Sequence, residues 1–157
     1  MKSGSQTPLF GKTVKRIHCL GVSGMGMAPL AIYMAQAGYE VSGQDDAMRE
    51  EVGELLLRNR VKLEAFPEDC DLVVVSSALK SNHPDMIIVS ANKCLVVKRG
   101  ELLAEIARGK KLVAICGSHG KTTTTALLID ALRRLNFPTD YILGGLFADS
   151  AVPPAAC

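Results

Sequence analysis

Strand-like and helix-like stretches alternate along this chain, and that alternation constrains its fold more than any other feature. An apolar run over Val14 to Leu20 gives way to a glycine turn, Gly21-Val-Ser-Gly-Met-Gly26. A stretch with Met27, Leu30, Ala31, Met34 and Ala35 on one helical face follows, with Pro29 in its first turn and Gly38 placed to end it. Further strands are expected over Glu40 to Gly43, Val61 to Phe66, Leu72 to Val75 and Leu95 to Val97. Helices are expected over Arg49 to Asn59, from Pro84, and over Gly100 to Ala107. Leu72 to Val75 is apolar at every position, as a strand covered on both faces requires. Strands separated by helices build a parallel sheet, because a parallel return needs a crossover.

After the polar stretch Arg108-Gly-Lys-Lys111 the pattern starts afresh: a strand over Leu112 to Cys116, a loop over Gly117 to Lys121, a helix over Thr122 to Leu135 and a strand over Tyr141 to Leu143. The reading is therefore a flexible tail (residues 1–12), a first α/β unit (residues 13–108) and the start of a second (residues 109–157). The last residues, Val152 to Cys157, read as disordered.

At 157 residues there is room for one domain and part of another. With 48% hydrophobic residues the chain has a core to bury. A net charge of +2 is too small to argue for nucleic acid or an anionic membrane as partner, so any basic residue that matters acts locally on a specific anion. No apolar run is long enough to span a bilayer, and residues 1–10 lack the apolar stretch of a signal peptide, so a cytoplasmic protein is expected. The five cysteines (Cys19, Cys70, Cys94, Cys116, Cys157) form no C-x-x-C pair. They read as small buried hydrophobes in a reducing compartment rather than disulfides or a zinc site.

Two glycine loops carry the chemistry. In the first, Gly21, Gly24 and Gly26 stand between a strand and a helix N-terminus, where unpaired N–H groups and the positive end of the helix dipole suit an anion. Asp45 closes the next strand, at the distance where a carboxylate can accept hydrogen bonds from a ribose. Together these point to a nucleotide diphosphate. The spacing is G-x-x-G-x-G, not the G-x-G-x-x-G of dinucleotide enzymes. The competing readings are a glycine turn kept for tight packing and a solvated strand-end carboxylate. The second loop reads Gly117-Ser-His-Gly-Lys-Thr122, a short G-x-x-G-K-T form. Its Ser118 to Lys121 amides can wrap a phosphate, Lys121 can neutralise outer phosphates, and the Thr122 hydroxyl can ligate magnesium. Thr122 to Thr125 are poor helix formers, so helix propensity does not account for the run.

In their order and separation these motifs resemble the Mur ligases. The first loop with Met27, the run Val41-Ser-Gly-Gln-Asp45, Val73-Val-Val-Ser-Ser-Ala78, Arg99-Gly-Glu-Leu-Leu-Ala-Glu105, Cys116-Gly-Ser-His-Gly-Lys-Thr-Thr-Thr-Thr125 and Gly144-Gly145 together match the pattern of the family member that adds L-alanine. Ser23 stands where that pattern has glycine, Gln44 where it has serine, Ser118 where it has threonine and Gly100 where it has alanine. The tripeptide-recycling member is the runner-up; the bulky Thr-Phe that precedes its loop methionine is absent. A nucleotide-binding module without ligase activity, either NAD-dependent or a P-loop switch, is the alternative outside the family.

The resemblance implies a Rossmann-like parallel sheet with helices on both faces, followed by the strand–P-loop–helix–strand start of an incomplete ATPase domain. It implies an ATP- and magnesium-dependent ligase of peptidoglycan synthesis that joins L-alanine to UDP-N-acetylmuramate through an acyl phosphate, with no nucleic acid or membrane partner. UDP-N-acetylmuramate would be held by Gly21, Ser23, Gly24, Met25, Gly26, Met27, Asp45, Ser76, Ser77 and Arg99. ATP would be held by Gly117, Ser118, His119, Gly120, Lys121, Thr122 and Thr123, with Lys121 and Thr122 catalytic and Thr122 on magnesium. Ser76 and Ser77 also read as a strand-end turn, Arg99 as a surface ion pair and His119 as a solvated loop residue. Family members continue with an acidic stretch and further domains, so this chain is expected to bind a UDP-sugar weakly and not to ligate alone.

Overall fold

The computed structural model describes residues 8–157 except 81, 93 and 150. Five strands form one parallel sheet: β1 (Arg16–Leu20), β2 (Glu40–Gln44), β3 (Lys62–Leu63), β4 (Leu72–Val75) and β5 (Leu95–Lys98), in the order β3-β2-β1-β4-β5. All four pairings are parallel, with Ile17 opposite both Val41 and Leu72. The expected strand over Val61 to Phe66 shrinks to the two-residue edge strand β3, which has a neighbour on one side only.

Alternation along the strands sorts side chains into two layers. Ile17, Cys19, Val41, Leu72, Val74 and Val97 join the larger core with α1 (Met27–Gln36), α2 (Glu50–Arg58) and α4 (Arg99–Ala107). Leu20, Val73 and Val75 point the other way, to Val89 of α3 (Pro84–Ala91) and to Cys70. Helices thus cover both faces, as expected. Gly43 is required by close packing: a Cβ there would lie 2.7 Å from Val22 Cβ and 2.8 Å from the Cys19 carbonyl oxygen.

Residues 1–7 of the expected tail lie outside the described residues. Within the rest, Leu9 is buried and pairs with Lys12, and the Phe10 N–H donates to Glu105 Oε1 at 2.9 Å.

The C-terminal part departs from expectation in three ways. Residues 112–116 form no strand, and Leu112 and Val113 are exposed. A strand needs a partner for its backbone groups, and among the described residues none pairs with this segment. Cys116, expected to be buried, is exposed for the same reason. Residues 152–157, expected to be disordered, instead return as β7 (Ala155–Ala156), which pairs antiparallel with β6 (Tyr141–Ile142). This small ribbon packs against α1 with Leu143 and Ala155 fully buried, and Gln36 Nε2 donates to the Ala155 carbonyl at 3.2 Å. Lys110 and Asp140 meet at 2.6 Å, and both touch the Tyr33 hydroxyl of α1. Apolar Ala and Val in the last six residues find a helix face to cover, which composition alone does not reveal.

The helix α5 (Lys121–Arg134) buries Ile129 alone, leaving Leu127 and Leu128 exposed. Among the described residues no helix is long and apolar enough to cross a membrane. All five cysteines are free, with Cys19 and Cys70 buried, Cys94 half-buried, and Cys116 and Cys157 exposed.

Candidate functional site

The turn after β1 lies at the C-terminal edge of the sheet, where β2 and β4 flank β1 on opposite sides. That is the switch point at which open α/β sheets bind ligands. Gly21 takes φ 76°, and a Cβ there would lie 2.9 Å from Ser76 Cβ, so both conformation and space demand glycine. The N–H groups of Gly21 and Val22 donate to the Gln44 carbonyl at 2.9 and 3.2 Å, strapping the turn to the end of β2. Ser23 donates to Asp45 Oδ2 through both its N–H (2.9 Å) and its hydroxyl (2.6 Å). The Gly24 carbonyl accepts the N–H groups of Met27 and Ala28 and so starts α1.

Two amides remain. Among the described residues the N–H groups of Met25 and Gly26 have no internal acceptor, and they lie at the positive end of α1. The Gly24 N–H is instead turned to the Gly21 carbonyl at 3.3 Å. Arg99, the first residue of α4, lays its guanidinium against Gly26, with Nη1 3.0 Å from where a Cβ would be. Arg49 Nη2 donates to the Ser23 carbonyl and to Met25 Sδ, both at 3.2 Å. Beside the turn opens a cleft of about 300 Å³ lined by Gly24, Gln44, Asp45, Arg49, Ser76 and His83, among others.

Asp45 is part of the turn's scaffold. Partial burial would raise its carboxyl, but the Ser23 hydroxyl, the Ala47 and Ser23 N–H groups and the Arg49 charge together hold it below the usual carboxylate range. Oδ2 is thus committed to Ser23 and Oδ1 to the Ala47 N–H at 3.0 Å. Met27 is buried and serves packing, whereas Met25 is exposed. Ser76 lines the cleft, and Ser77 is exposed and stands outside its lining.

The second loop is built differently. Gly120 caps α5 with φ 76°, a left-handed conformation glycine adopts without penalty. Lys121 Nζ folds back to donate to the carbonyls of Gly117 (2.6 Å) and Ser118 (3.2 Å). Residues 116–124, which include Ser118, His119, Thr122 and Thr123, are all exposed. Gly145 closes over the helix start: a Cβ there would lie 2.7 Å from Thr122 Cγ2. The Gly144-Gly145 pair is thus brought to the loop from 23 positions away along the chain, since Thr122 and Gly145 are neighbours in space.

A family model described as "Mur ligase family, catalytic domain" matches residues 16–111, more than half of the chain. The chain belongs to the Mur ligase family. Among curated relatives, a UDP-N-acetylmuramate–L-alanine ligase of Syntrophomonas wolfei is 36% identical over 83% of this chain and 29% of its own length. One from Xanthobacter autotrophicus is 38% identical over 83% of this chain and 28% of its own. The chain therefore spans less than a third of the curated relatives it matches. In fold, it resembles a murein peptide ligase of Psychrobacter arcticus (TM-score 0.79, 24% identity, 90% of this chain and 33% of that one). It also resembles a UDP-N-acetylmuramate–alanine ligase of Thermotoga maritima (TM-score 0.77, 24% identity, 86% and 33%).

Sequence reasoning about this Mur ligase chain missed Arg49, His83 and Asp85. His83 Nε2 meets Asp46 Oδ2 at 3.0 Å, and His83 Nδ1 accepts the Asp85 N–H at 3.3 Å, on the far wall of the same cleft. A signal for Arg49 was present: a cation four residues past the Asp45 strand end, at a helix start where an acidic residue would be the usual choice. Nothing in the sequence ties His83 to the turn; only the parallel order of β4 beside β1 brings α3 there.

Proposed function

We propose that this chain is the UDP-sugar-binding part, with the start of the ATP-binding part, of a peptidoglycan ligase that joins L-alanine to UDP-N-acetylmuramate. The observation that carries the reading is the pair of amides, Met25 and Gly26, that have no acceptor among the described residues, at the start of α1 beside two guanidiniums, Arg49 and Arg99. Two unpaired N–H groups, a helix dipole and two cations suit a diphosphate, and the adjoining cleft has room for the nucleoside. In the division of labour, residues 13–108 hold the UDP-sugar and residues 109–157 begin the ATP site. The curated relatives named as L-alanine ligases favour alanine as the amino acid. Work on a cytoplasmic nucleotide-sugar fits a chain whose described helices include no membrane span.

For this loop, ATP and magnesium are what the family implies, and the residues fit. Gly117 and Gly120 take positive φ of 150° and 76°, Lys121 holds its ammonium at the loop, and Thr122 is exposed. Bound ATP would supply the phosphoryl group: the lactyl carboxylate, a poor electrophile at neutral pH, would take it with ADP leaving, and the amine of alanine would then displace phosphate. Lys121 would offset charge on the transferred group, the Thr122 hydroxyl would serve as a ligand of magnesium, and Ser118, His119 and Thr123 would border the phosphates. In the first site the Met25 and Gly26 amides would hold the diphosphate, since those of Gly24 and Met27 are spent within the turn, with Ser76 toward the sugar side and Arg99 beside the anionic groups.

Calorimetric titration of the chain with UDP-N-acetylmuramate, NADH and Mg·ATP tests this. UDP-N-acetylmuramate binding with no NADH binding is expected, and no alanine ligation. Tighter binding of NADH than of the UDP-sugar would sink the reading.

A further inference from the structure

Behind the cleft two buried polar atoms lack partners. His18 is fully buried on β1; its Nδ1 meets Ser42 Oγ at 2.8 Å, but among the described residues its Nε2 has no partner in full hydrogen-bond geometry, although the Gln44 side chain is near enough to act on the ring. Gln44 Oε1 is likewise buried and unpaired. The register sets them side by side: His18 is opposite Ser42 and Leu20 opposite Gln44, so His18, Ser42 and Gln44 share one face of adjacent strands. An unsatisfied buried donor or acceptor is costly, and each of these atoms is what the other lacks. Burial pushes the His18 imidazole down to about 4, and the Gln44 side chain pulls against that. The ring is therefore neutral, with one donor and one acceptor. The tautomer that satisfies both residues has the Ser42 hydroxyl donating to Nδ1 and a proton on Nε2 for the Gln44 amide oxygen.

An amide whose oxygen is turned inward presents its NH₂ outward. Gln44 lines the cleft, and among the described residues its nitrogen bonds to nothing. Asp45 beside it has both oxygens committed to the turn. The end of β2 therefore offers a ligand donors from Gln44 in place of a free carboxylate from Asp45.

We propose that Gln44 is a specificity-determining residue that donates to an uncharged oxygen of the nucleoside, a base carbonyl or a ribose hydroxyl, with Ser42 and His18 fixing its amide. The proposal rests on the nucleotide-diphosphate reading of this cleft.

The test is calorimetric titration of the full chain and its Gln44→Leu and Gln44→Glu variants with UDP, 2′-deoxy-UDP and pyrophosphate, after thermal melts confirm folding. Gln44→Leu is expected to weaken UDP about tenfold, the scale of one lost hydrogen bond, and to leave pyrophosphate unchanged. Gln44→Glu keeps the acceptor for His18 but loses the donor, so it weakens UDP as well and covers the case in which the leucine variant does not fold. If 2′-deoxy-UDP suffers the same loss, the acceptor is on the base. If 2′-deoxy-UDP is weak already and loses nothing more, the acceptor is the 2′-hydroxyl. UDP binding unchanged in a folded variant, or pyrophosphate weakened as much as UDP, overturns the proposal. A parent chain that binds pyrophosphate but not UDP overturns the nucleotide reading and this one with it.

Discussion

The two glycine loops, both proposed to bind phosphates, are built in opposite ways. The first is fastened on two sides, to the Gln44 carbonyl and to the Asp45 carboxylate, and at Gly21 it packs closely on Ser76. The second bonds chiefly to itself, with the Lys121 ammonium on its own carbonyls, and its approach segment over residues 112–116 pairs with nothing among the described residues. A glycine loop can thus be held by a sheet or by its own lysine. In the first case the ligand-binding geometry and the stability of the fold are one property; in the second they are separable.

That contrast is broken most sharply by pH. Below pH 6.5 an unfolded chain protonates His18, while the buried ring refuses the proton until about pH 4. Stability from this group is therefore constant above pH 6.5 and is lost as pH falls toward 4. The full loss is about 3 kcal/mol, at about 1.4 kcal/mol per pH unit. Urea unfolding at pH 7 and pH 5 should already differ by about 2 kcal/mol. A flat profile across that window would mean that the first region is not sealed behind its cleft.

The next effect is steric. Gly43→Ala places a methyl against Val22 and the Cys19 carbonyl and should cost about 2 kcal/mol, as overpacking of a tight core does. Gly145→Ala meets a similar 2.7 Å contact, but with the exposed Thr122 side chain, which can turn away. Denaturation midpoints that drop equally for both would erase the difference between the regions.

How much of this was legible depended on where the partners of each residue lay. The strand β4 was readable because Leu72 to Val75 are apolar at every position, and the first turn because glycine spacing and strand–helix context are local. The ribbon of β6 and β7 was not: Val152 to Cys157 carry two prolines and no periodicity, and only the face of α1 gives Ala155 something to bury against. Residues 112–116 misled in the opposite sense, since an apolar run predicts a strand only if a neighbour supplies its hydrogen bonds. Within the cleft, Asp45 was read as a strand-end acceptor for a ribose; its two bonds from Ser23 were not legible, and only the one from the hydroxyl depends on serine standing in the loop. Arg49 and His83 come from elements whose approach to the turn is a matter of topology.

A smaller effect is expected at the clasp between the two regions. Lys110 and Asp140 are each nearly half exposed, so the pair contributes under about 1 kcal/mol. The Lys110 hydrogen bond, against partial burial, holds the Asp140 carboxyl below its usual range. The clasp is therefore intact above the normal carboxylate value and is lost as pH falls through the depressed one. Asp140→Asn should speed hydrogen exchange at the Ile142 and Leu143 amides with little change in global unfolding. Unchanged exchange would show that Leu143 and Ala155 alone hold the ribbon on α1.

The smallest effect on the fold, and the most informative for the comparison, is expected at Lys121. Its ammonium bonds only to exposed carbonyls of its own loop. Lys121→Ala should therefore change global stability by no more than about 0.5 kcal/mol, as surface substitutions do. The same change removes the cation from the second cradle, so binding of inorganic triphosphate should weaken by at least about tenfold, the scale of a charge-assisted hydrogen bond. UDP binding at the first cradle should not move. A variant whose melting temperature falls together with its triphosphate affinity would show that the second loop, like the first, is part of the folding core.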